Sequence, residues 1–253
     1  MSSASAQSED NSSTASPREV ASFTAIADTW WDPNGNFKPL HQINPVRITY
    51  IRDFICRHFE RSPKGDSPFE GLGLLDIGCG GGLLCEPMRR LGADVTGIDA
   101  GKKNISVDRL HAEQSELDID YRHQLPEDLA KTKGTFDIVL NMEVIEHVAD
   151  VDAFLAASAS LVKPGGVMVL STLNRTLKAF ALAKVGAEYV MRWLPAGTHD
   201  WRKFVKPSEL ARGLRPHGVD ISDVTGMVYS PFRDEWSLSN DLDVNYLVAA
   251  VKK

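Results

Sequence analysis

The sequence predicts an α/β fold, a sheet of mostly parallel strands with helices on both faces, and three observations carry that expectation. From residue 72 onward, short apolar runs alternate with segments of helical periodicity, and β-α-β alternation needs crossover helices that cover both faces of a parallel sheet. The first run, Leu72 to Ile77, stops in four glycines within five residues, Gly78, Gly80, Gly81 and Gly82. Lys163-Pro-Gly-Gly166 then supplies a turn before a later apolar run.

In chain order, residues 1–17 carry no large apolar side chain after Met1, too little to bury, and read as a disordered tail. Residues 18–253 read as one domain, opening with a helical cap over 18–60. Val20, Phe23, Ile26, Ala27, Trp30 and Trp31 recur at helical spacing until Asp32-Pro-Asn-Gly35 breaks the pattern. Leu40 to Arg47 leads into a second helix from Ile48 to about Phe59, and a Pro, Gly and charge-rich linker covers 61–71. Strands are expected near 72–77, 94–98, 118–123, 136–141 and 166–172, and helices near 83–91, 102–116 and 151–162. An insertion spans 173–205. A helix from Pro207 to about Leu214 and strands at Val219–Tyr229 and Val244–Val251 complete the sheet.

Bulk properties narrow the partners. A net charge of −6 leaves no basic excess for phosphates, so no nucleic acid is expected. Cys56, Cys79 and Cys85 form no C-x-x-C pair, which indicates neither a disulfide framework nor a zinc site and suits a reducing cytoplasm. No apolar stretch approaches the length of a membrane span, and the Ser-rich start lacks the core of a signal peptide.

A glycine turn between strand and helix lets a ligand approach bare backbone, with the helix dipole favouring a negative group. Gly78-x-Gly80-x-Gly82 places Leu83 where the dinucleotide fingerprint has its third glycine, which leaves NAD as the lesser alternative. Asp99 closes the next strand at the distance expected of a carboxylate that grips ribose hydroxyls, so a nucleoside-bearing ligand is the first reading. Arg47 is suited to clamp a carboxylate, the common alternatives being an ion pair or a solvated surface. Glu143, Glu146 and His147 follow the fourth strand at i, i+3 and i+4. On a helix they share one face and can hold a divalent cation, or can simply complement the dipole at a helix start. His199 beside Asp200 is a candidate general base, with a structural loop histidine as the alternative. In the insertion, Leu182, Val185, Tyr189, Val190, Trp193 and Leu194 form a broad apolar face with Arg175, Lys178 and Lys184 on its flank. Such a face fits core packing, a lid over an apolar substrate, or contact with an anionic membrane surface.

Several motifs then resemble a known family: W-W-D-P-N-G (Trp30 to Gly35), L-H-x-I-N-P-V-R (Leu40 to Arg47), L-D-I-G-C-G-G-G (Leu75 to Gly82), V-T-G-I-D (Val95 to Asp99), E-V-I-E-H-V (Glu143 to Val148), K-P-G-G (Lys163 to Gly166), S-T-L-N-R-T (Ser171 to Thr176) and G-T-H-D-W (Gly197 to Trp201). Together they resemble the class I S-adenosylmethionine-dependent methyltransferases and, within them, the O-methyltransferases of ubiquinone biosynthesis. The resemblance implies a Rossmann-like, mostly parallel seven-stranded sheet with an antiparallel last strand. It implies S-adenosylmethionine contacts at Arg47, Gly78, Asp99 and Met142, the last through its backbone, and a metal such as magnesium or zinc at Glu143, Glu146 and His147. The implied acceptor is a polyprenylated phenol or quinol, methylated at 2-polyprenyl-6-hydroxyphenol and at 3-demethylubiquinol, by a protein peripheral to the inner face of the membrane and associated with a quinone-synthesis complex. Methylation of another small phenol, or a low-turnover cofactor- or lipid-binding subunit, are the alternatives.

Overall fold

Helices α1 (Pro17–Ala25) and α2 (Lys38–His58) precede a sheet of eight strands: β1 (Gly73–Ile77), β2 (Asp94–Asp99), β3 (Asp120–His123), β4 (Phe136–Met142), β5 (Val162–Leu173), β6 (Val219–Ser230), β7 (Glu235–Ser239) and β8 (Asn245–Lys252). Between them lie α3 (Cys85–Arg90), α4 (Lys102–Gln114), α5 (Pro126–Ala130), α6 (Val151–Ser160), the single turn α7 (Leu177–Ala179) and α8 (Pro207–Leu214). This computed structural model describes residues 13–132, 134–182 and 200–253. The strand order is β3-β2-β1-β4-β5-β8-β6-β7. The first five strands pair in parallel, and β8 runs antiparallel to both β5 and β6.

The period of two along each strand divides the core. Leu74, Ile138, Leu140, Val167, Val169 and Leu247 face one cluster, which α2, α3 and α4 cover. Leu75, Val139, Met168, Leu170, Tyr246 and Val248 face the other, covered by α5, α6 and α8. Helices on both faces and an antiparallel last strand are therefore borne out. The expected count of seven strands is corrected to eight, because Glu235–Ser239 folds back as a hairpin on the free edge of β6. Its alternation is too short and too polar to stand out from a loop.

Three boundaries also move. The second helix begins at Lys38 rather than Ile48 and contains Pro45; that proline forfeits one rung, its own N–H toward the His41 carbonyl, and the flanking turns carry the helix through. The expected Lys163-Pro-Gly-Gly turn lies inside β5 as a bulge, where the partners step from Phe136↔Val162 to Ile138↔Val167. Of the tail expected over 1–17, residues 1–12 lie outside the described residues, and residues 14–17 are part of the fold. Thr14 is buried and donates from its N–H and hydroxyl to the Glu127 carboxylate at 2.7 and 3.0 Å, Ala15 bridges Val148, and Pro17 opens α1. Small polar residues joined the fold through hydrogen bonds, which a low apolar content does not forbid.

The insertion leaves and rejoins the sheet at one place. The Val205 N–H donates to the Leu173 carbonyl at 3.1 Å and the Asn174 N–H to the Val244 carbonyl at 2.7 Å. Tyr246, fully buried, donates its hydroxyl to the Val205 carbonyl at 2.7 Å.

Candidate active site

From β1 the chain steps outward to β2 and β3, then returns to β4 on the opposite side of β1. Oppositely directed crossovers leave a crevice at the carboxyl ends of β1 and β4. A cavity of about 1270 Å³ opens there, and Arg47, Gly78, Asp99 and Met142 all line it. Residues from four separate parts of the chain thus share one space.

The loop after β1 is built as its glycines suggest, though not only for a ligand. Gly78 and Gly80 have φ of +72° and +59°, left-handed values that disfavour any residue with a Cβ. A Cβ on Gly78 would lie 2.6 Å from the Val144 side chain, and one on Gly80 would lie 2.5 Å from Cη2 of Trp30. The bareness of Gly80 and Gly81 therefore serves a protein ring, the Trp30 indole, as well as the cavity.

Asp99 is pinned in place. Its carboxylate accepts from the Gly101 N–H at 2.6 Å, the Asn104 amide at 3.0 Å and the Gly80 N–H at 3.1 Å. Burial raises its pKa above the usual carboxylate value, and these three bonds oppose the rise. Arg47 lies within α2, one turn from Ile43 and Ile51, instead of ahead of the helix as expected. It is only 3% exposed. It donates to Glu143 Oε1 at 2.6 Å and to Asn44 at 3.4 Å, while its Nε is buried without a hydrogen-bond partner. A buried donor in a cavity wall is suited to an anionic group.

Glu143, Glu146 and His147 do not share a helical face. Glu143 takes a φ of +56°, and Ile145–His147 is a single 3₁₀ turn. Their side chains answer to different partners: Glu143 to Arg47 and the Ser171 hydroxyl, Glu146 Oε2 to the Thr172 hydroxyl, and His147 Nδ1 to Glu19 at 3.2 Å. Among the described residues no group of three or more His, Cys, Asp or Glu side chains stands where one metal ion can be held. So arranged, the three side chains are held by separate partners and are not gathered on one point. The tight turn after β4, which a straight extension of helical spacing does not foresee, separates them. Burial and the neighbouring Glu143 charge push the Glu146 pKa up. Glu19 is held down to about 2, chiefly by its bond to His147.

Behind the glycine loop lies a second buried set. Cys79 Sγ donates to Asp108 at 3.4 Å and Cys85 Sγ to Asp76 at 3.3 Å. Burial raises Asp76 to about 7, Asp108 to about 9 and Cys85 to about 12. Burial raises the Cys79 thiol as well, and a thiol raised in this way is a packing group and not a nucleophile.

His199, and the apolar face from Val185 to Leu194 with Lys184, lie outside the described residues. Two of the cations expected on the flank of that face are paired within the protein, Arg175 with Glu209 and Lys178 with Asp241 and Asp243. No helix among the described residues is long and apolar enough to cross a membrane. Sequence reasoning overlooked Asn104, Gln124 and Leu125, which also line the cavity. Gln124 and Leu125 follow β3 directly, so applying the carboxyl-end rule to the third strand finds them. Glu19, brought in by α1, carries no comparable signal.

A family model described as a methyltransferase domain matches residues 47–223. The ubiquinone biosynthesis O-methyltransferase of Cereibacter sphaeroides (strain ATCC 17025 / ATH 2.4.3) is 59% identical over 241 residues, covering 95% of this chain and 98% of that protein. The protein of the same name from Chelativorans sp. (strain BNC1) is 58% identical over 234 residues, 92% of each chain. Among solved structures, magnesium protoporphyrin IX methyltransferase from Synechocystis PCC 6803 with bound SAH has a TM-score of 0.63 at 22% identity, covering 92% of this chain and 95% of that one. That likeness speaks to the fold, whereas the two relatives are close over nearly their whole length. The chain belongs to the family of ubiquinone biosynthesis O-methyltransferases.

Proposed function

We propose that this protein transfers a methyl group from S-adenosylmethionine to a phenolic oxygen of a polyprenylated catechol or hydroquinone, at the 2-polyprenyl-6-hydroxyphenol and 3-demethylubiquinol steps of ubiquinone biosynthesis. The observation that carries the reading is one cavity with two kinds of wall. Arg47, Gly78 and Asp99 line it together with the apolar side chains of Phe23, Leu40, Ile43, Met227 and Trp236, so a charged nucleoside and a greasy aromatic ring can meet in one space. Family membership supports the same chemistry.

In this reading Arg47 pairs with the methionine carboxylate and Asp99 accepts from the ribose hydroxyls. The turn at Gly78 lets the donor lie against backbone, and Met142 contributes main-chain contact at the end of β4. The donor supplies an electrophilic methyl on a sulfonium. The task left to the chain is to align the acceptor oxygen with that methyl, exclude water and help remove the phenol's proton. His199 is the proposed base, and His199→Ala should lower kcat while leaving the donor KM unchanged. Incubation with labelled S-adenosylmethionine and a short-tailed demethylquinol, followed by product mass, tests the whole: binding without product favours a non-catalytic subunit, and product only from unrelated phenols favours another acceptor.

Two finer proposals stand beside this one. A divalent cation on Glu143, Glu146 and His147 is supported by Glu146 Oε1, which is buried without a hydrogen-bond partner. It requires side chains to leave their present partners, and full turnover after chelation would overturn it. Peripheral association with an anionic membrane, beside other quinone-synthesis enzymes, is supported by Leu177, Phe180 and Leu182, which are 82%, 41% and 52% exposed at the start of the insertion.

A further inference from the structure

The paired tryptophans of W-W-D-P-N-G have no part in the chemistry above, and the two are used differently. Trp31 stacks on His111 of α4, ring centroids 3.5 Å apart, and so fastens the cap to the sheet's helical layer. Trp30 does something else. It is 6% exposed and lines the cavity, with its indole over Gly80 and Gly81, where no Cβ fits. Phe37 stacks on it at 3.5 Å and His41 Nε2 lies 2.8 Å from its carbonyl oxygen. Its Nε1–H donates to Asn104 Oδ1 at 3.2 Å, and Asn104 Nδ2 donates to Asp99 Oδ1 at 3.0 Å.

The polarity of that chain is forced. An indole N–H can only donate, so it claims the oxygen end of the Asn104 amide and leaves the NH₂ end facing the carboxylate. Asn104 is 3% exposed, so little water is at hand to compensate a reversed amide. Without the indole N–H, the amide is free to turn its oxygen toward Asp99, where two acceptors would repel each other.

We propose that Trp30 is a positioning residue for the methyl donor: its indole N–H locks the Asn104 amide in the orientation that holds the Asp99 carboxylate ready for the ribose. This rests on the reading of Asp99 as the ribose-binding group. It assigns Trp30 of the cap to the donor and not to the acceptor, and it makes cap docking and donor binding one linked event.

The test uses the full chain and S-adenosylhomocysteine as probe, by titration calorimetry and steady-state kinetics. Trp30→Phe keeps a ring over the glycines and removes only the N–H. It should weaken binding about fivefold to twentyfold and raise the donor KM to match, with kcat at saturating donor changed less than twofold. Asn104→Ala should weaken binding on its own. The double variant should bind no worse than Asn104→Ala, because both changes break one chain. Phe37→Leu, which disturbs the stack but keeps the N–H, should lower the melting temperature with little loss of affinity, and so separates packing from orientation. Wild-type affinity in Trp30→Phe, or losses that multiply in the double variant, would overturn the inference. If the wild-type chain does not bind S-adenosylhomocysteine, the reading of Asp99 fails first and the inference goes with it.

Discussion

Replacing Arg47 by Met tests the donor site at its most exposed assumption, that a guanidinium buried to 3% exposure is there for a carboxylate. The substitution keeps length and apolar bulk while removing the charge. Charge-assisted hydrogen bonds are worth about 1.5–3 kcal/mol, so affinity for S-adenosylhomocysteine should fall roughly 10- to 150-fold. The fold is also taxed. Arg47 now meets Glu143 at 2.6 Å, with side-chain exposures of 4% and 19%, and loss of the arginine leaves Glu143 with the Ser171 hydroxyl at 2.9 Å. Breaking a fully buried pair costs about 3–5 kcal/mol, and the partial exposure of Glu143 brings this one down to about 1–3 kcal/mol. Calorimetry should separate the two effects. Ligand 5′-methylthioadenosine has the nucleoside but no amino-acid carboxylate, so its affinity should be nearly the same for wild type and variant. Adding Glu143→Gln should recover stability without recovering S-adenosylhomocysteine binding. Equal losses for both ligands would refute the assignment, since Arg47 would then be supporting the cavity in general.

Three other outcomes are expected. Gly80→Ala forces a Cβ into a left-handed residue and against Trp30, whereas Gly218→Ala, at φ +73°, meets nothing within 4 Å. Both carry the conformational penalty of about 1–2 kcal/mol, and only the first should exceed it in urea midpoints while also weakening donor binding. Asp108 has its pKa raised from 3.8 to about 9 by burial; above pH 4 the folded chain therefore keeps a proton that the unfolded chain has released. Stability should be greatest in mild acid and fall as pH rises toward 9, by at most about 1.4 kcal/mol per pH unit for this group, and Asp108→Asn should flatten the curve between pH 6 and 9 in denaturant titrations. Finally, Leu177→Asp with Phe180→Asp should reduce co-flotation with phosphatidylglycerol vesicles while leaving turnover of a short-tailed soluble acceptor in place; unchanged flotation would remove these residues from any membrane contact.

The sheet was legible in the sequence because apolar runs alternate there with helical periods, and Gly78 and Asp99 were legible because they end such runs. Elements that owe their form to partners far along the chain were not. The N-terminal turns of α2 persist through Pro45 because Ile43, Tyr50 and Ile51 pack into the core, a fact that local propensity does not contain. Likewise, Glu143 and His147 face Arg47 and Glu19, residues 96 and 128 positions away. No spacing rule within E-V-I-E-H-V can report those partners. Trp30 stood out by its composition and motif, but its bond to Asn104 spans 74 positions, so its role became visible only in three dimensions.

One bond gives the insertion an independence of its own. Because the Val205 N–H closes directly on the Leu173 carbonyl, the sheet sees the two feet of this segment as neighbours, whatever runs between them. Lengthening a connection between fixed ends costs only about 0.6 kcal/mol per doubling, so a change in length between these feet should leave the sheet's own hydrogen bonds in place. The described ends of the segment reach back to the same space, since Lys178, Leu182 and Lys203 line the cavity together with Arg47 and Asp99, so what changes between the feet can alter the cavity's rim without disturbing the sheet.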